Sequence, residues 1–249
     1  MPIQVTVGVL ALQGAFAEHL ATLNALATKS CTKVKSLPSL TAKLVRTPEE
    51  LDTCDALIIP GGESTTMAIL ARNTGLLEPL RQFVRTKPVW GTCAGAILLA
   101  ESIEGGKKGG QELLGGMSVK IGRNGFGSQI DSFEATLISA PDAKALAKKE
   151  GDFVGVFIRA PVVLGIESDP SRPEVQILAK IAPQALPPLD EEGTLPHDDD
   201  PRMIVALRQG HLMLTTFHPE LTKDDRFHEY FVLEVIAPLF SSPSSPIDK

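Results

Sequence analysis

The chain has 249 residues, 43% of them apolar, with 30 Asp and Glu against 24 Lys and Arg, a formal net charge of −6. That suffices for one large domain or at most two small ones, and the acidic balance without a basic block argues against a nucleic-acid binder. Three cysteines, Cys31, Cys54 and Cys93, lack C-x-x-C spacing, which excludes a disulfide framework and a standard zinc site, and no apolar stretch approaches the roughly 18 residues of a membrane span.

In chain order, Ile3 to Leu10 reads as a buried strand rather than a signal peptide, since no basic segment precedes it; the expected location is cytoplasmic. Phe16, Leu20, Leu23 and Ala27 fall on one face at helical spacing. Lys43 to Arg46 is a short strand leading into Thr47-Pro48-Glu49-Glu50, where Thr47 caps a helix, Pro48 takes its first position and Glu50 completes a capping box. Asp55 to Ile59 is an apolar strand that stops at Pro60-Gly61-Gly62. Helix is expected from Thr65 through Arg85, interrupted near Gly75, then a strand at Pro88 to Trp90 and a helix from Ala94 to Glu101. This alternation predicts an α/β fold, a mostly parallel sheet with helices on both faces.

The second half reads as further strands at Met117 to Asn124, Ser132 to Ile138, Asp152 to Arg159, Val175 to Ile181, Arg202 to Gln209 and His211 to Phe217, with a hairpin turn at Arg208-Gln209-Gly210-His211. An apolar helical stripe covers Thr222 to Phe240, and residues 241 to 249 form a flexible tail. Thr28 to Thr41 and Ala182 to Pro201 read as insertions. The second carries Asp190, Glu191, Glu192, Asp198, Asp199 and Asp200 with no Lys or Arg, so the acidic excess resides there, as a solvated loop.

Gly91-Thr92-Cys93-Ala94-Gly95 joins a strand to a helix. A nucleophile between two glycines at such a turn is the elbow arrangement, with Cys in place of Ser. A helix N-terminus favours a thiolate, and the amide that follows can donate to an oxyanion. The competing reading is a buried structural thiol, which is how Cys31 and Cys54 are taken. A thiol nucleophile needs a base. His218-Pro219-Glu220 follows an apolar strand, and in extended backbone residues two apart point the same way, so Glu220 can orient the His218 imidazole toward a thiol. His19, His197, His211 and His228 are expected at the surface. A metal reading of Cys93 and His218 lacks third and fourth ligands. Pro60-Gly61-Gly62-Glu63-Ser64-Thr65 offers backbone amides to a substrate or is an ordinary helix start capped by Ser64 or Thr65; the Gly-Lys-Ser/Thr of a phosphate loop is absent.

Together these residues resemble the class I, triad-type glutamine amidotransferases. Within them the chain is similar to the glutaminase subunits of pyridoxal 5′-phosphate synthase, the Pdx2/PdxT/SNO family. The resemblance runs through Leu10-Ala11-Leu12-Gln13-Gly14, Pro60 to Met67, Gly91 to Gly95, Arg123-Asn124-Gly125-Phe126-Gly127, Asp131-Ser132-Phe133-Glu134, Val156 to Pro161 and Phe217 to Thr222, in the family's order. It implies a flavodoxin-like fold with additional antiparallel strands, and one glutaminase domain over 1–240. It also implies a triad of Cys93, His218 and Glu220, with Gly62, Glu63, Ser64, Arg123, Ile158 and Arg159 around a bound glutamine and an oxyanion hole near Gly62 and Ala94. The implied reaction is hydrolysis of L-glutamine, with ammonia passed to a Pdx1/SNZ-type synthase subunit in a hetero-oligomer and no metal or organic cofactor. Another triad amidotransferase, a cysteine hydrolase, or a non-catalytic regulatory subunit that kept the fold are the alternatives.

Overall fold

Valines at alternate positions of the first strand, Val5, Val7 and Val9, are fully buried in one apolar layer and Leu10 in the other, as expected for a strand covered on both faces. A computed structural model describes residues 4–30, 39–105, 110–123, 125–126, 132–147, 151–187 and 195–241. Strand β1 (Gln4–Leu10) is followed by α1 (Phe16–Ser30), β2 (Ser39–Val45), α2 (Pro48–Asp52), β3 (Ala56–Ile59), α3 (Ser64–Asn73), α4 (Leu77–Thr86), β4 (Val89–Thr92) and α5 (Ala94–Leu99). Then come β5 (Ala100–Glu104), β6 (Met117–Gly122), β7 (Ser132–Ser139), α6 (Lys144–Ala147), β8 (Val154–Ile158), β9 (Val162–Ile166), β10 (Val175–Ile181), β11 (Ile204–Gln209) and β12 (Leu212–Thr215). The chain closes with α7 (Arg226–Tyr230), a π-helical stretch (Phe231–Ile236) and α8 (Ala237–Ser241).

The main sheet has the order β2-β1-β3-β4-β12-β11-β10-β7-β8. Strands β2, β1, β3, β4 and β12 run parallel, and β11, β10, β7 and β8 extend the sheet by antiparallel pairing. Side chains alternate between two apolar layers: Ala56, Ile58, Trp90 and Met213 join the layer that contains Leu23 and Phe231, while Leu57, Ile59, Val89 and Leu214 join Met67, Leu80 and Ile97 on the other face. The architecture is the α/β class read from the sequence, with helices on both faces.

The capping box forms as expected: Glu50 N–H donates to Thr47 Oγ1 at 3.3 Å and Thr47 N–H to Glu50 Oε2 at 3.2 Å. Gly75, at φ 73°, marks the break between α3 and α4.

Four expectations need correction. The helix expected to run to Glu101 ends at Leu99, because Leu114 and Gly115 N–H groups donate to Leu98 O and the chain switches into a ladder of β5 with β6. Strand β9, unread in the sequence, pairs with β6 to complete a separate three-stranded sheet, β5-β6-β9. The segment read as an insertion at Thr28 to Thr41 contains the end of α1 and the start of β2; residues 31–38, Cys31 among them, lie outside the described residues. In the second insertion, Leu186 is buried within the main core. There Asp200 accepts from Arg202 Nε and Nη2 at 3.0 and 2.7 Å, so that carboxylate is engaged rather than freely solvated. Asp190 to Glu192 and the tail from 242 onward fall outside the described residues.

Candidate active site

Register places the site. Ile59 of β3 and Leu214 of β12 are both level with Gly91 of β4. Chain leaving these parallel strands therefore emerges at one carboxyl edge, where open α/β sheets hold ligands: Pro60-Gly61-Gly62 after β3, Cys93 after β4 and Thr216 to Glu220 after β12.

Cys93 has φ 47° and ψ −102°, a left-handed conformation outside the ordinary wells, worth about 1–3 kcal/mol of local strain. The surroundings hold it there. Cys93 N–H donates to Thr215 O at 2.9 Å and Ile97 N–H to Cys93 O at 3.2 Å. The two flanking glycines are required by space: a Cβ on Gly91 would stand 2.4 Å from Gly95 O, and one on Gly95 would stand 2.1 Å from Ile59 O. The thiol is buried, with Cys93 only 5% exposed.

His218 N–H donates to Val156 O of β8 at 2.8 Å, and Pro219 opens a 3₁₀ turn, Pro219–Leu221, in place of the extended segment expected. The turn still delivers the pair, with His218 Nδ1 2.7 Å from Glu220 Oε1. Burial works to lower the His218 imidazole, but hydrogen bonds to Cys93 and Glu220, together with their charges, outweigh it and push the group up to about 10. Gly61 lies against the ring: a Cβ there would be 2.3 Å from His218 Cε1 and 3.3 Å from Cys93 Cβ.

His19 and His228 are not at the surface as expected. Both are fully buried, with His19 Nδ1 2.9 Å from His228 Nε2 and His19 Nε2 3.2 Å from Thr92 Oγ1. His19 Nε2 also stands 3.3 Å from Glu220 Oε2. Burial, and then the nearby histidines, hold His19 well below the ordinary range; burial brings His228 down to about 3. His211 is half-buried with Nε2 2.9 Å from Val84 O, whereas His197 is exposed as read. Cys54 is buried and donates to Glu50 O, a structural thiol.

Glu63, rather than Ser64 or Thr65, caps α3. Its carboxylate accepts from Thr66 N–H and Thr66 Oγ1, both at 2.7 Å, and from Arg123 Nη2 at 3.0 Å. Slight burial opposes ionisation, but the Thr66 and Thr65 donors hold Glu63 down at about 2. Gln111 joins this group: its Oε1 accepts from Arg123 Nη1 at 2.9 Å and from Ser64 Oγ at 3.2 Å. Gln13, after β1, accepts from Glu63 N–H at 2.8 Å, and a Cβ on Gly62 would be 2.4 Å from its Oε1. Glu63, Ser64 and Arg123, grouped by the family resemblance, stand in one hydrogen-bonded cluster; Gln111, in no recognised motif, carried no signal.

Ile158 ends β8 and is 38% exposed, and Arg159 follows in the left-handed region at φ 41°. Both lie two or three residues beyond Val156, the backbone partner of His218, but among the described residues no side-chain bond ties Arg159 to Glu63, Ser64 or Arg123. Among the described residues the amides of Gly62 and Ala94 donate to no protein acceptor, and no group of three or more His, Cys, Asp and Glu could hold a metal ion. Nor is any described helix long and apolar enough to cross a membrane.

A thiol on a strand-to-helix elbow, faced by a His–Glu pair at the carboxyl edge of a parallel sheet, is the arrangement of a glutamine-amidotransferase-like α/β protein. The solved structures agree. A crystal structure of a glutamine amidotransferase matches at TM-score 0.67 and 39% identity, covering 92% of this chain and 98% of that one. A glutamine amidotransferase from Thermotoga maritima shares the fold at TM-score 0.52 and 12% identity, over 95% of this chain and 90% of that one. The SNO glutamine amidotransferase family model matches residues 9–237, and the chain belongs to that family. Its relatives include the Arabidopsis thaliana "Probable pyridoxal 5′-phosphate synthase subunit PDX2", 45% identical over 91% of this chain and 84% of that protein. Another is the pyridoxal 5′-phosphate synthase subunit PdxT of Streptomyces avermitilis, 44% identical over 91% of this chain and 92% of that protein.

Proposed function

We propose that this chain is a glutaminase, hydrolysing L-glutamine to L-glutamate and ammonia, and that the ammonia passes to a synthase subunit that forms pyridoxal 5′-phosphate. Residues 1–240 act as one glutaminase domain, working in the cytoplasm within a hetero-oligomer. The observation that carries this reading is the strained Cys93 elbow with His218 and Glu220 beside it, in a member of a glutamine amidotransferase family.

Cys93 is the nucleophile. A protonated His218 beside it supplies the positive charge a thiolate needs. The sulfur attacks the side-chain amide carbon of glutamine, and the N–H groups of Gly62 and Ala94 receive the oxyanion. His218 gives its proton to the departing ammonia as the carbon–nitrogen bond breaks, leaving a γ-glutamyl thioester on Cys93. Now neutral, His218 takes a proton from water, whose oxygen attacks the thioester carbon; glutamate leaves and the proton returns to the Cys93–His218 pair. Glu220 Oε1, accepting from Nδ1, fixes the tautomer that leaves Nε2 for this work.

Arg123 carries positive charge beside the Glu63 carboxylate. A free amino acid presents a carboxylate and an ammonium, and these two groups match that pair, with Gly62, Ser64, Ile158 and Arg159 as further contacts implied by the family resemblance. The test is ammonia release from glutamine by the purified chain, alone and with the synthase subunit. Low activity that rises with the partner and vanishes in Cys93→Ala supports the reading. Turnover surviving Cys93→Ala overturns the mechanism, and activity unmoved by the partner overturns the coupling.

A further inference from the structure

Glu220 uses one carboxylate oxygen for His218. The other, Oε2, is buried without an aligned hydrogen bond, yet it faces His19 Nε2 at 3.3 Å. We infer that His19, seated by His228 and Thr92, is a positioning residue that holds Glu220 in line with His218; this rests on the glutaminase reading above.

The protonation pattern follows from the contacts. A bare lone pair on His19 Nε2 would oppose the carboxylate, so Nε2 carries the hydrogen: Thr92 Oγ1 accepts it at 3.2 Å, and the polar N–H stands 3.3 Å from Glu220 Oε2. His19 Nδ1 is then an acceptor, and the partner 2.9 Å away, His228 Nε2, must donate to it. That leaves His228 Nδ1 as a lone pair, and Nδ1 is the buried His228 atom without a hydrogen bond. A bare acceptor there is cheaper than an orphaned N–H. The assignment follows from the carboxylate beside Nε2, and it needs both rings neutral. Their depressed protonation agrees.

Trp90 closes the pocket from the sheet side, with ring centroids 5.7 Å from His19 and 4.9 Å from His228. The result is a buried relay of orientation from α7 through α1 to Glu220 and so to the nucleophile's base. The titratable groups facing it are Cys93 and His218 on the substrate side, and His19, His228 and Asp225 behind.

Two isopolar variants separate positioning from packing. In His19→Gln the terminal amide nitrogen reaches about where Nε2 stands and still donates toward Glu220. In His19→Asn the shorter amide reaches only the Nδ1 position, keeping a partner for His228 but offering Glu220 nothing. Assays use the full chain with its synthase partner, alongside the pH dependence of Cys93 alkylation by iodoacetamide, located by peptide mass and independent of glutamine. Expected for His19→Asn is about a tenfold lower kcat with little change in KM. With no donor left facing the second oxygen of Glu220, the acid limbs of turnover and alkylation move to higher pH. His19→Gln recovers most of both effects. Equal behaviour of the two variants, or acid limbs unmoved in His19→Asn, overturns the inference. Turnover persisting in Cys93→Ala would instead overturn the glutaminase reading, so the two failures are distinguishable.

Discussion

Gly61 offers a test in which one methyl group acts on one ring. Its φ is not in the left-handed region, so alanine fits the backbone and the whole effect is spatial. The added Cβ would stand 2.3 Å from His218 Cε1 and 2.8 Å from Nδ1, where carbon–carbon contact needs about 3.5 Å. The imidazole must retreat by roughly 1 Å. It cannot do so freely, because Nδ1 is held 2.7 Å from Glu220 Oε1 and Cys93 Cβ would be 3.3 Å from the same methyl. A displacement of about 1 Å between the proposed nucleophile and base costs about 10²-fold in rate, while overpacking of this size costs about 1–3 kcal/mol of stability. Gly61→Ala is therefore expected to stay folded, with a Tm lowered by a few degrees, and to lose about 10²-fold in kcat. Ammonia release in the complex and calorimetry of the chain measure the two effects. A folded Gly61→Ala variant with kcat within about threefold of the parent would refute the claim that His218 has no room to move.

Arg123→Met, which keeps the stem and removes the charge, should raise KM for glutamine about tenfold and change kcat less if, as proposed, Arg123 holds the glutamine carboxylate alike in ground and transition states; steady-state kinetics decide. Acidification should unfold the chain through its buried histidines. Native His228 stays neutral down to about 3 whereas the unfolded chain takes that proton below about 6.5, so stability is full above about 6.5 and falls as pH drops toward 3. Between pH 6.5 and 4.5 this one group accounts for roughly 2 kcal/mol, with His19 acting in the same direction. Urea unfolding at the two pH values should show the loss, and a His228→Leu variant should show a flatter dependence.

The features legible in the sequence are those that a few adjacent residues decide. The capping box at Thr47 and Glu50 is closed by residues three apart, and the glycines around Cys93 signal a turn that only their missing Cβ atoms permit. His218 and Glu220 are near enough in sequence that the pairing survives the exchange of an extended segment for a 3₁₀ turn. Strand β5 was not legible, because Ala94 to Glu104 has the composition of one helix until Leu114 and Gly115 claim the Leu98 carbonyl. The buried histidines were least legible of all. His19 and His228 are 209 residues apart, and a single histidine on an amphipathic helix looks like a solvated one. Only the packing of α1 and α7 against the same face of the sheet turns them inward, onto Trp90 of β4. The residues adjacent to the thiol could thus be found by motif, but the group that faces the second oxygen of Glu220 is defined by tertiary packing alone. Such a group is recognised by asking where each buried lone pair and proton goes.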